Sequence, residues 1–442
     1  MKVNVLNLSS QELAKRIISG EAVISIHGFG YVGAAIASAF LKKGCKIVAH
    51  DVKNDVVAKL SLGTWKTPDD KKISEVIQKG FDEKKISATI DYKEAVSSST
   101  FHIITVPVLI KRKGKKVQVD LSQMIDACKN IGKYMAKGDA LVIETTLPPS
   151  TTEEVLKNEL EKESGLKAGS DFALIYSPER ILVGRALDDI ENNYPKVVSG
   201  YDKKSLEIGT TLYSIVAGRG VLKMSSLKAA ETEKVFEGIY RDVNIALANE
   251  LSDFCMEEGL NYQEIMNAAN SQPYSHLHRP GIGVGGACIP VYPYFVLAKA
   301  GRRFNLISTA RIVNERRPTQ IAIKALKDFI SKYNSNKKLN VTILGLSFRG
   351  DVSDNRLSPS ITLARYFLKK GYNVRVHDPF TYTNTGLPEN VHLTNNLQEA
   401  LKDSNIVILA TDHSEYKKFT FEQIKEHCSK TVVIEDPKQI LR

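Results

Sequence analysis

The sequence of 442 residues has no uninterrupted apolar run as long as the roughly 20 residues that a membrane-spanning helix requires. Residues 1–20 mix polar and apolar side chains and contain no apolar core of a secretory signal. Low-complexity tracts and short-period repeats are absent as well. We therefore expect a globular protein of the cytoplasm that has no membrane partner. At about 150 residues per domain, the length predicts two or three domains.

Cysteine is scarce, and its spacing excludes two kinds of site. The five cysteines are Cys45, Cys128, Cys255, Cys288 and Cys428. Their number is odd and none forms a C-x-x-C pair, so the sequence indicates neither a disulfide framework nor a zinc site, and we expect no metal. A reducing compartment fits this usage. All except Cys288 lie in ordinary helical or strand patterns, where we expect them to be inert packing.

Basic residues outnumber acidic ones, 61 against 50, which gives a formal net charge of +11. No basic block is interleaved with aromatic residues, and the densest run of lysines lies at residues 111–116. A basic surface of this kind attracts phosphorylated small molecules as readily as nucleic acid. We expect no nucleic-acid partner.

Short apolar runs alternate with helical patterns at both ends of the chain. The runs are residues 23–27, 46–51, 101–107, 140–146 and 172–178, and then 340–346, 373–379, 405–412 and 431–436. Runs this apolar suit strands that are covered on both faces, as in a parallel sheet. We predict an α/β fold with two Rossmann-like, doubly wound parallel-sheet domains, residues 1–205 and 321–442. A central helical domain, residues 206–320, joins them.

One long helix is predicted in the central part of the chain. From Leu227 onward, apolar side chains recur at helical spacing along one face. They are Val235, Ile239, Val243, Leu247, Leu251 and Phe254. Such a helix can bridge two domains and pack against a copy of itself.

A glycine motif of the type G-x-G-x-x-G follows the first predicted strand. It consists of Gly28, Phe29, Gly30, Tyr31, Val32 and Gly33. Glycine lets the backbone turn tightly and approach a pyrophosphate, whose charge is met by the N-terminus of the next helix. Asp51, at the end of the second strand, can accept hydrogen bonds from ribose hydroxyls. This carboxylate favours NAD over NADP, although Lys53 nearby weakens the preference.

Residues 279–295, RPGIGVGGACIPVYPYF, form the most informative segment. Four glycines leave the backbone almost bare just before Cys288; they are Gly281, Gly283, Gly285 and Gly286. Because so many glycines cost conformational entropy, we expect them to accommodate a ligand against the main chain and not to serve packing. A thiol beside a dinucleotide site suggests attack on an aldehyde, giving a thiohemiacetal that can lose hydride. The alternative is a buried, inert cysteine in a glycine-rich turn.

Three weaker candidates have competing structural explanations. Glu179 and Arg180 follow a strand, where a base and a phosphate ligand can sit, but they can equally form a surface salt bridge. Lys234 on the long helix can be a simple solvated charge. Arg349 and Arg356, after the first strand of the last domain, can hold a phosphate or lie in a solvated polar loop.

Together these motifs resemble the UDP-glucose/GDP-mannose dehydrogenase family over essentially the whole chain. In chain order they read GFGYVG, ETTLPPSTT, YSPERILVGRAL, AAETEKVFEGIYRDVNIALANEL, RPGIGVGGACIPVYPYF, LGLSFRGDVSDNRLSP and VHDPF. The fourth and fifth motifs are most similar to the branch that acts on UDP-N-acetylhexosamines, particularly UDP-N-acetylmannosamine. The two-domain 3-hydroxyacid dehydrogenases share the first lobe and the helical part, but need neither the cysteine segment nor a third lobe.

The resemblance implies a four-electron oxidation of the sugar's primary alcohol to a uronic acid, with two NAD per substrate. It makes Cys288 the nucleophile, with Lys234 stabilising an oxyanion. It also has Glu179 assist thioester hydrolysis and Thr146 position the reacting water. The resemblance assigns NAD to Gly28, Phe29, Gly30, Tyr31, Val32, Gly33, Asp51, Val106, Thr146 and Arg356, and the UDP sugar to Glu179, Arg180, Ile181, Lys234, Arg279, Gly281, Phe348 and Arg349. Arg279 would reach the sugar of a neighbouring subunit, which implies at least a homodimer formed on the central helix.

The sequence departs from the family pattern where chemistry is expected. Gly238 stands where the family usually has asparagine, and Tyr292 where it usually has aspartate; Ala287 replaces a frequent histidine. Losing the aspartate removes a proton acceptor for the alcohol step, and losing the asparagine removes a polar donor. Three interpretations stay open. They are a normal reaction with rearranged acid–base chemistry, a different reaction such as a single oxidation or an epimerisation, and a weakly active or non-catalytic nucleotide-sugar binder.

Overall fold

The computed structural model describes residues 2–113, 116–300, 303–334, 338–381 and 386–441. The chain forms two compact units. The first consists of residues 1–236 and 294–298, and the second of residues 237–293 and 299–442. The predicted division into three domains, with borders after residues 205 and 320, stays a prediction.

Each unit contains one large parallel sheet with helices around it. The strands are β1 (Ile24–His27), β2 (Ile47–His50), β3 (Ile86–Thr89), β4 (Phe101–Ile104), β5 (Leu109–Lys113), β6 (Lys116–Asp120), β7 (Ala140–Ile143), β8 (Ala173–Tyr176), β9 (Lys196–Gly200), β10 (Val221–Lys223), β11 (Asn340–Leu344), β12 (Asn373–His377), β13 (His392–Thr394), β14 (Ile406–Leu409) and β15 (Val433–Glu435). The helices are α1 (Ser10–Ile18), α2 (Tyr31–Lys42), α3 (Asn54–Ser61), α4 (Lys71–Asp82), α5 (Tyr92–Ser97), α6 (Ser122–Gly132), α7 (Lys157–Ser164), α8 (Ala186–Asp188), α9 (Lys203–Ser214), α10 (Leu227–Glu257), α11 (Tyr262–Ala269), α12 (Tyr292–Ala300), α13 (Asn305–Tyr333), α14 (Pro359–Lys369), α15 (Leu397–Leu401) and α16 (Phe421–Glu426). The predicted α/β class with a central helical part is thereby confirmed.

The sheet of the first unit has the strand order β10-β9-β8-β7-β4-β1-β2-β3. All neighbouring pairs are parallel except β8 and β9. The strands at its centre are covered on both faces, and every residue of β1, β4 and β7 is buried, including the polar Ser25, His27 and His102. Strands β3, β9 and β10 were not predicted, since they lie towards the edges and mix polar with apolar residues.

The sheet of the second unit is entirely parallel, in the order β13-β12-β11-β14-β15. The first strand of this sheet, β11, is central and lies between β12 and β14. In the first unit, β1 lies between β2 and β4 in the same way. All four predicted strands of this part are present, and β13 was missed. In both sheets the first strand therefore runs into a loop at the edge where ligands of open α/β folds bind.

Helix α10 spans 31 residues, as the apolar pattern predicts. Its buried residues near the start include Val235, which is completely buried, and Ile239. Further along the same predicted face, Leu247 is 42% exposed and Phe254 57% exposed. The apolar stripe is thus covered by this chain at its beginning and left open at its end.

None of the helices in the described ranges combines the length and the apolar composition that crossing a bilayer requires. Those same ranges hold no group of three or more histidine, cysteine, aspartate or glutamate side chains arranged to bind a metal ion.

Candidate active site

The glycine turn of the first unit leads from β1 into α2. Gly28 has a φ of +98°, a conformation that favours glycine. A Cβ at Gly33 would lie 2.3 Å from the carbonyl oxygen of Gly28, so only glycine lets α2 pack this closely against the turn. A Cβ at Gly30 would meet nothing within 4 Å, and Gly30 caps α2 without a side-chain hydrogen bond. The helix therefore begins at open backbone N–H groups, which suit the phosphates of a dinucleotide.

Asp51 lies next to this turn, directly after β2. Its carboxylate accepts hydrogen bonds from the backbone N–H groups of Phe29 (2.8 Å) and Lys53 (2.9 Å), which fixes its position. Asp51 is half-buried, so the carboxylate is held in place beside the turn. An acceptor held at the end of the second strand is what the ribose of NAD requires. The residues present therefore fit this cofactor.

Several other predicted cofactor residues surround the turn. Thr105 donates a hydrogen bond from its hydroxyl to the carbonyl of Gly28 (2.6 Å), and the next residue, Val106, accepts one from the Thr145 hydroxyl (2.7 Å). The loops after β4 and β7, the second of which carries Thr146, are thereby tied together. The Tyr31 hydroxyl accepts from the N–H of Gly184 (2.8 Å), which gives this motif residue a structural role.

We predict that Asp51→Ala weakens NAD binding by about tenfold or more, because it removes the carboxylate that meets the ribose. UDP-sugar binding should change little. Isothermal titration with NAD and with the UDP sugar checks both effects on one sample. Equal losses for the two ligands would contradict the proposed ribose contact.

Glu179 belongs to a buried charged cluster. Its carboxylate pairs with the ammonium of Lys196, which also contacts Glu144 at 3.0 Å. The hydroxyl of Tyr213 donates a hydrogen bond to Glu144. The side chains of Glu179 and Lys196 are each 7% exposed, and that of Glu144 is completely buried. The interpretation of Glu179 as a surface salt bridge is therefore wrong.

The two carboxylates of this cluster differ in charge state. Burial raises the pKa of Glu144 to about 8, although the Lys196 ammonium opposes the shift. Burial would also raise the pKa of Glu179, but the attraction and hydrogen bond of Lys196 lower it below its usual value. The Lys196 cation is thus paired with the ionised carboxylate of Glu179, whereas burial favours the protonated form of Glu144.

The residues around Glu179 hold it in one orientation. The N–H groups of Arg180 (2.7 Å) and Ile181 (3.1 Å) both donate to its Oε1. The Arg180 guanidinium lies 5.0 Å from the ring centre of Tyr194 and 3.7 Å from Glu233. The turn after β8 is therefore stiff at the carboxylate, as a positioned active-site group requires.

Lys234 lies on α10 and is only 8% exposed. A solvated helix charge is therefore the wrong interpretation of this lysine. Gly238 follows it by one helical turn, so the two positions share a face of α10.

In the second unit, the glycine segment before Cys288 packs against protein at every step. The Gly281 N–H donates to Asn249 on α10 (2.8 Å), and its carbonyl accepts from Arg317 on α13 (3.1 Å). A Cβ at Gly285 would lie 2.6 Å from the Cβ of Phe348. Gly286 has a φ of +90° and lies under the ring of the same phenylalanine. The expectation that these glycines serve a ligand and not packing is wrong at Gly285 and Gly286.

Cys288 is exposed, unlike the other cysteines. Cys45, Cys128 and Cys255 are buried and Cys428 is half-buried; burial raises the pKa of Cys45 and of Cys428 to about 11. The expectation that these four pack inertly agrees with their burial. The alternative interpretation of Cys288 as a buried, inert thiol is wrong, because the structure leaves it accessible.

The loop after β11 carries Phe348, Arg349 and Arg356. It begins at Gly345, whose φ is +104°, and the N–H groups of the next two residues donate to Asp378 at 2.7 and 2.8 Å. Asp378 follows β12 as Asp51 follows β2, so the two sheets share one local design.

The two carboxylates nevertheless differ. Besides the two loop N–H groups, Asp378 accepts hydrogen bonds from the N–H groups of Phe380 and Thr381, both at 2.9 Å, and from His413 at 3.2 Å. Burial would raise its pKa, but these donors hold the pKa well below its usual range. With its oxygens so fully engaged, Asp378 supports the loop and is not available to a ribose. Arg349 is half-buried and Arg356 exposed, so both can reach a phosphate.

Gly238 and Tyr292, the two departures from the family pattern, are in contact. A Cβ at Gly238 would lie 2.5 Å from Cδ2 of Tyr292, closer than any real side chain comes. Tyr292 is 8% exposed, and its N–H donates to the carbonyl of Cys288 at 3.0 Å. The tyrosine ring therefore occupies the space into which a side chain at position 238 would extend.

Three models of one protein family match this chain in sequence. They are the NAD binding domain (residues 22–217), the central domain (residues 228–316) and the UDP binding domain (residues 342–442) of the UDP-glucose/GDP-mannose dehydrogenase family. The UDP-N-acetyl-D-mannosamine dehydrogenase of Pyrococcus horikoshii is 31% identical over 93% of this chain and 94% of its own. The chain belongs to the UDP-glucose/GDP-mannose dehydrogenase family. It is an NAD-dependent UDP-sugar dehydrogenase, and its identification from the sequence motifs is confirmed.

The fold of this chain is similar to solved structures of nucleotide-sugar dehydrogenases. The UDP-D-ManNAc dehydrogenase structure from Pyrococcus horikoshii aligns with a TM-score of 0.87 and 29% identity, over 95% of this chain and 96% of that one. An NDP-N-acetyl-D-galactosaminuronic acid dehydrogenase from Methanosarcina mazei aligns with a TM-score of 0.80 and 28% identity, over 98% and 94% of the two chains. Both dehydrogenases share the fold of this chain. One is named for a mannosamine derivative and the other for a galactosamine-derived uronic acid.

The dehydrogenase thus divides its predicted site residues between the two units. The dinucleotide turn, Glu179 and Lys234 belong to the first, and Cys288, Arg279, Phe348 and both loop arginines to the second. Sequence reasoning missed Lys196, Glu144 and Asp378. Lys196 is the first residue of β9 and Glu144 opens the ETTLPPSTT motif, but only the fold shows that they surround Glu179.

Proposed function

We propose that this dehydrogenase oxidises the primary alcohol at the sixth carbon of a UDP-N-acetylhexosamine, UDP-N-acetylmannosamine first, to the uronic acid. The observation that carries the proposal is the exposed Cys288 at the end of a rigidly packed glycine segment. An accessible thiol is the feature that a second oxidation, from aldehyde to acid, requires. The hexosamine is proposed from the names of the relatives, of which the Pyrococcus horikoshii enzyme is one.

The reaction consumes two NAD for each sugar. The glycine turn and Asp51 would hold NAD, which when bound would supply the acceptor for the hydride of each oxidation. The Cys288 thiol loses its proton to water and its sulfur adds to the aldehyde carbon; the C–S bond forms, the carbonyl π bond breaks, and the oxygen becomes the oxyanion of a thiohemiacetal. Loss of the C–H electron pair as hydride restores the C=O bond and leaves a thioester, and water then cleaves the C–S bond to release the carboxylate and the thiol.

Side chains of the first unit would stabilise the oxyanions of the reaction and orient the attacking water. Lys234, largely buried, would stabilise the oxyanion of the thiohemiacetal and of the hydrolysis intermediate. Glu179 would orient the attacking water, and Lys196 keeps it ionised so that it can accept that hydrogen bond. Thr146 would position the reacting water near the nicotinamide. Phe348 and Arg349 would hold the UDP, while Arg356 contacts NAD.

A second candidate, a single oxidation that stops at the aldehyde, is favoured by one observation. Tyr292 and Gly238 replace the aspartate and asparagine that the family resemblance leads one to expect. Cys288 opposes this candidate, because an exposed thiol has no task in a single oxidation.

We also propose a cytoplasmic homodimer formed on α10. Its exposed apolar residues Tyr240 (50% exposed), Leu247 and Phe254 are spaced by seven, the repeat of two helices that pack along their length. Exposed apolar residues in such a row mark an interaction surface. Arg279 is exposed and would complete the site of the neighbouring subunit. Sedimentation equilibrium measures the assembly, and a strictly monomeric active enzyme would contradict it.

Initial rates of NADH formation with a panel of UDP sugars test the substrate. The panel contains UDP-N-acetylmannosamine, its gluco and galacto isomers, and UDP-glucose. We expect the highest kcat/KM for UDP-N-acetylmannosamine. A kcat/KM as high for UDP-glucose would contradict the assignment to N-acetylhexosamines, and NADH from none of the sugars would contradict the proposed function itself.

A further inference from the structure

We propose that the phenol of Tyr292 is the proton acceptor of the first oxidation, and that the absence of a side chain at Gly238 makes room for its ring. This inference rests on the proposed function, because it assigns a role within that reaction. It treats the two departures from the family pattern as one coupled exchange.

The position of Tyr292 relative to the nucleophile is set by the backbone. Its N–H donates to the Cys288 carbonyl at 3.0 Å, so Tyr292 begins α12 directly after the turn that carries the nucleophile. The thiol and the phenol also interact electrostatically with the same Arg356 guanidinium. The tyrosine therefore belongs to the segment that surrounds the thiol.

The tyrosine ring is fixed by α10. At Gly238, the missing Cβ would lie 2.5 Å from Cδ2, 3.2 Å from Cβ and 3.3 Å from Cγ of Tyr292. The ring thus lies directly on the helix backbone, one turn after Lys234. A ring held this closely keeps few rotamers, which is the preorganisation that a proton acceptor needs.

A cation lies within electrostatic reach of both groups. The Arg356 guanidinium pairs with Asp354 at 2.9 Å, and this pair is the main cause of its raised pKa. The Cys288 thiol and the Tyr292 phenol raise that pKa further. The positive charge of Arg356 therefore interacts with both groups that must carry negative charge during the reaction.

The first oxidation removes one proton and one hydride from the substrate alcohol. The O–H bond of the substrate alcohol breaks and its proton passes to the phenolate oxygen of Tyr292. The C–H electron pair leaves as hydride to the bound NAD, and the C–O bond becomes the carbonyl of the aldehyde. The tyrosine then returns the proton to water. The second oxidation takes no proton from the sugar oxygen, because the Cys288 thiolate adds to the aldehyde and leaves an oxyanion, which becomes the thioester carbonyl when the C–H electron pair leaves as hydride.

Tyr292→Phe tests the assignment because it removes only the hydroxyl and keeps the ring on Gly238. Two substrates are compared: the UDP sugar that the wild type oxidises fastest, and the 6-aldehyde of the same UDP sugar. We expect kcat for the alcohol to fall by roughly a hundredfold or more, and kcat for the aldehyde to stay within about threefold of wild type. Tyr372→Phe, a tyrosine of the second unit outside the site, is the control and should leave both values unchanged.

Equal losses on both substrates, or no loss on either, would overturn the proposal. If the wild type forms no NADH from any sugar, the proposed function fails instead, so the two failures are distinguishable.

The pH profile of kcat separates a chemical role of Tyr292 from a packing role. The rise of kcat with pH that a phenol acceptor produces should disappear in Tyr292→Phe, whereas a purely structural change lowers kcat equally at every pH.

Thermal unfolding tests whether the Tyr292 ring packs against Gly238. Alanine normally stabilises a helix relative to glycine, yet Gly238→Ala should lower the unfolding midpoint because its Cβ meets the ring. In a Tyr292→Ala background the same change should raise the midpoint. Stabilisation by Gly238→Ala in the wild-type background would overturn the coupling of the two positions.

Discussion

Cys288→Ser is expected to abolish uronate formation while leaving UDP-sugar binding intact. The serine hydroxyl is a far weaker nucleophile than a thiol, so the aldehyde is no longer captured and the second oxidation stops. We expect uronate formation to fall by at least roughly a thousandfold, as for other enzymes that lose a covalent nucleophile. The affinity for the UDP sugar should stay within about twofold, because the change is one atom on an exposed side chain. Chromatographic quantification of the uronate and titration calorimetry measure the two effects.

Cys428→Ser is the matched control. This thiol is half-buried against an apolar cluster that includes Leu401 and Ile424, and it donates a hydrogen bond to the carbonyl of Ile424 at 3.2 Å. Uronate formation should be unchanged in this variant. A Cys288→Ser enzyme that produced uronate at the wild-type rate would contradict the covalent mechanism.

Lys196→Met is expected to lower the free energy of unfolding by about 3–5 kcal/mol at pH 8. The substitution keeps the length of the side chain and removes the cation shared by Glu144 and Glu179. Two buried carboxylates then face each other without a partner charge. Urea unfolding of the wild type and the variant measures the difference.

The same variant has a predicted pH dependence. Without Lys196 the folded-state pKa of each carboxyl lies above its unfolded value, so stability is fully present below the unfolded pKa and is lost as the pH rises through the folded pKa. The variant should therefore be closer to wild type at pH 5 than at pH 8. Lys204→Met is the control, since this partly exposed lysine pairs with Glu207 at the surface and should cost less than about 1 kcal/mol. A loss that does not depend on pH would contradict the charge-pair explanation.

Much of the fold could be predicted because its strands are short apolar runs. Every residue of β1, β4 and β7 is buried, so each strand shows in the sequence as part of a continuous, largely apolar run between turn signals. The hairpin of β5 and β6 was missed, because its lysine-rich sequence resembles a solvated loop; its strands are joined by an ion pair between Lys111 and Asp120 at 2.8 Å. Local patterns identify covered strands and miss a hairpin such as β5 and β6, whose charged residues do not form an apolar run.

The candidate site was predictable only in part, for a related reason. Cys288 and the dinucleotide turn stand out in the sequence because glycine clusters mark close approach of the backbone. The cause of the clusters was nevertheless misjudged, since Phe348 explains Gly285 and Gly286. The contact between Gly238 and Tyr292 joins residues far apart in the sequence, so only the folded structure shows it.

The central claim is that one UDP sugar is carried through two oxidations on this chain. The most direct test counts the NADH formed for each UDP-N-acetylmannosamine consumed, with the product identified in the same reaction by mass spectrometry. The account predicts two NADH per sugar and a uronic acid as the product. One NADH per sugar with an aldehyde as the final product would contradict it.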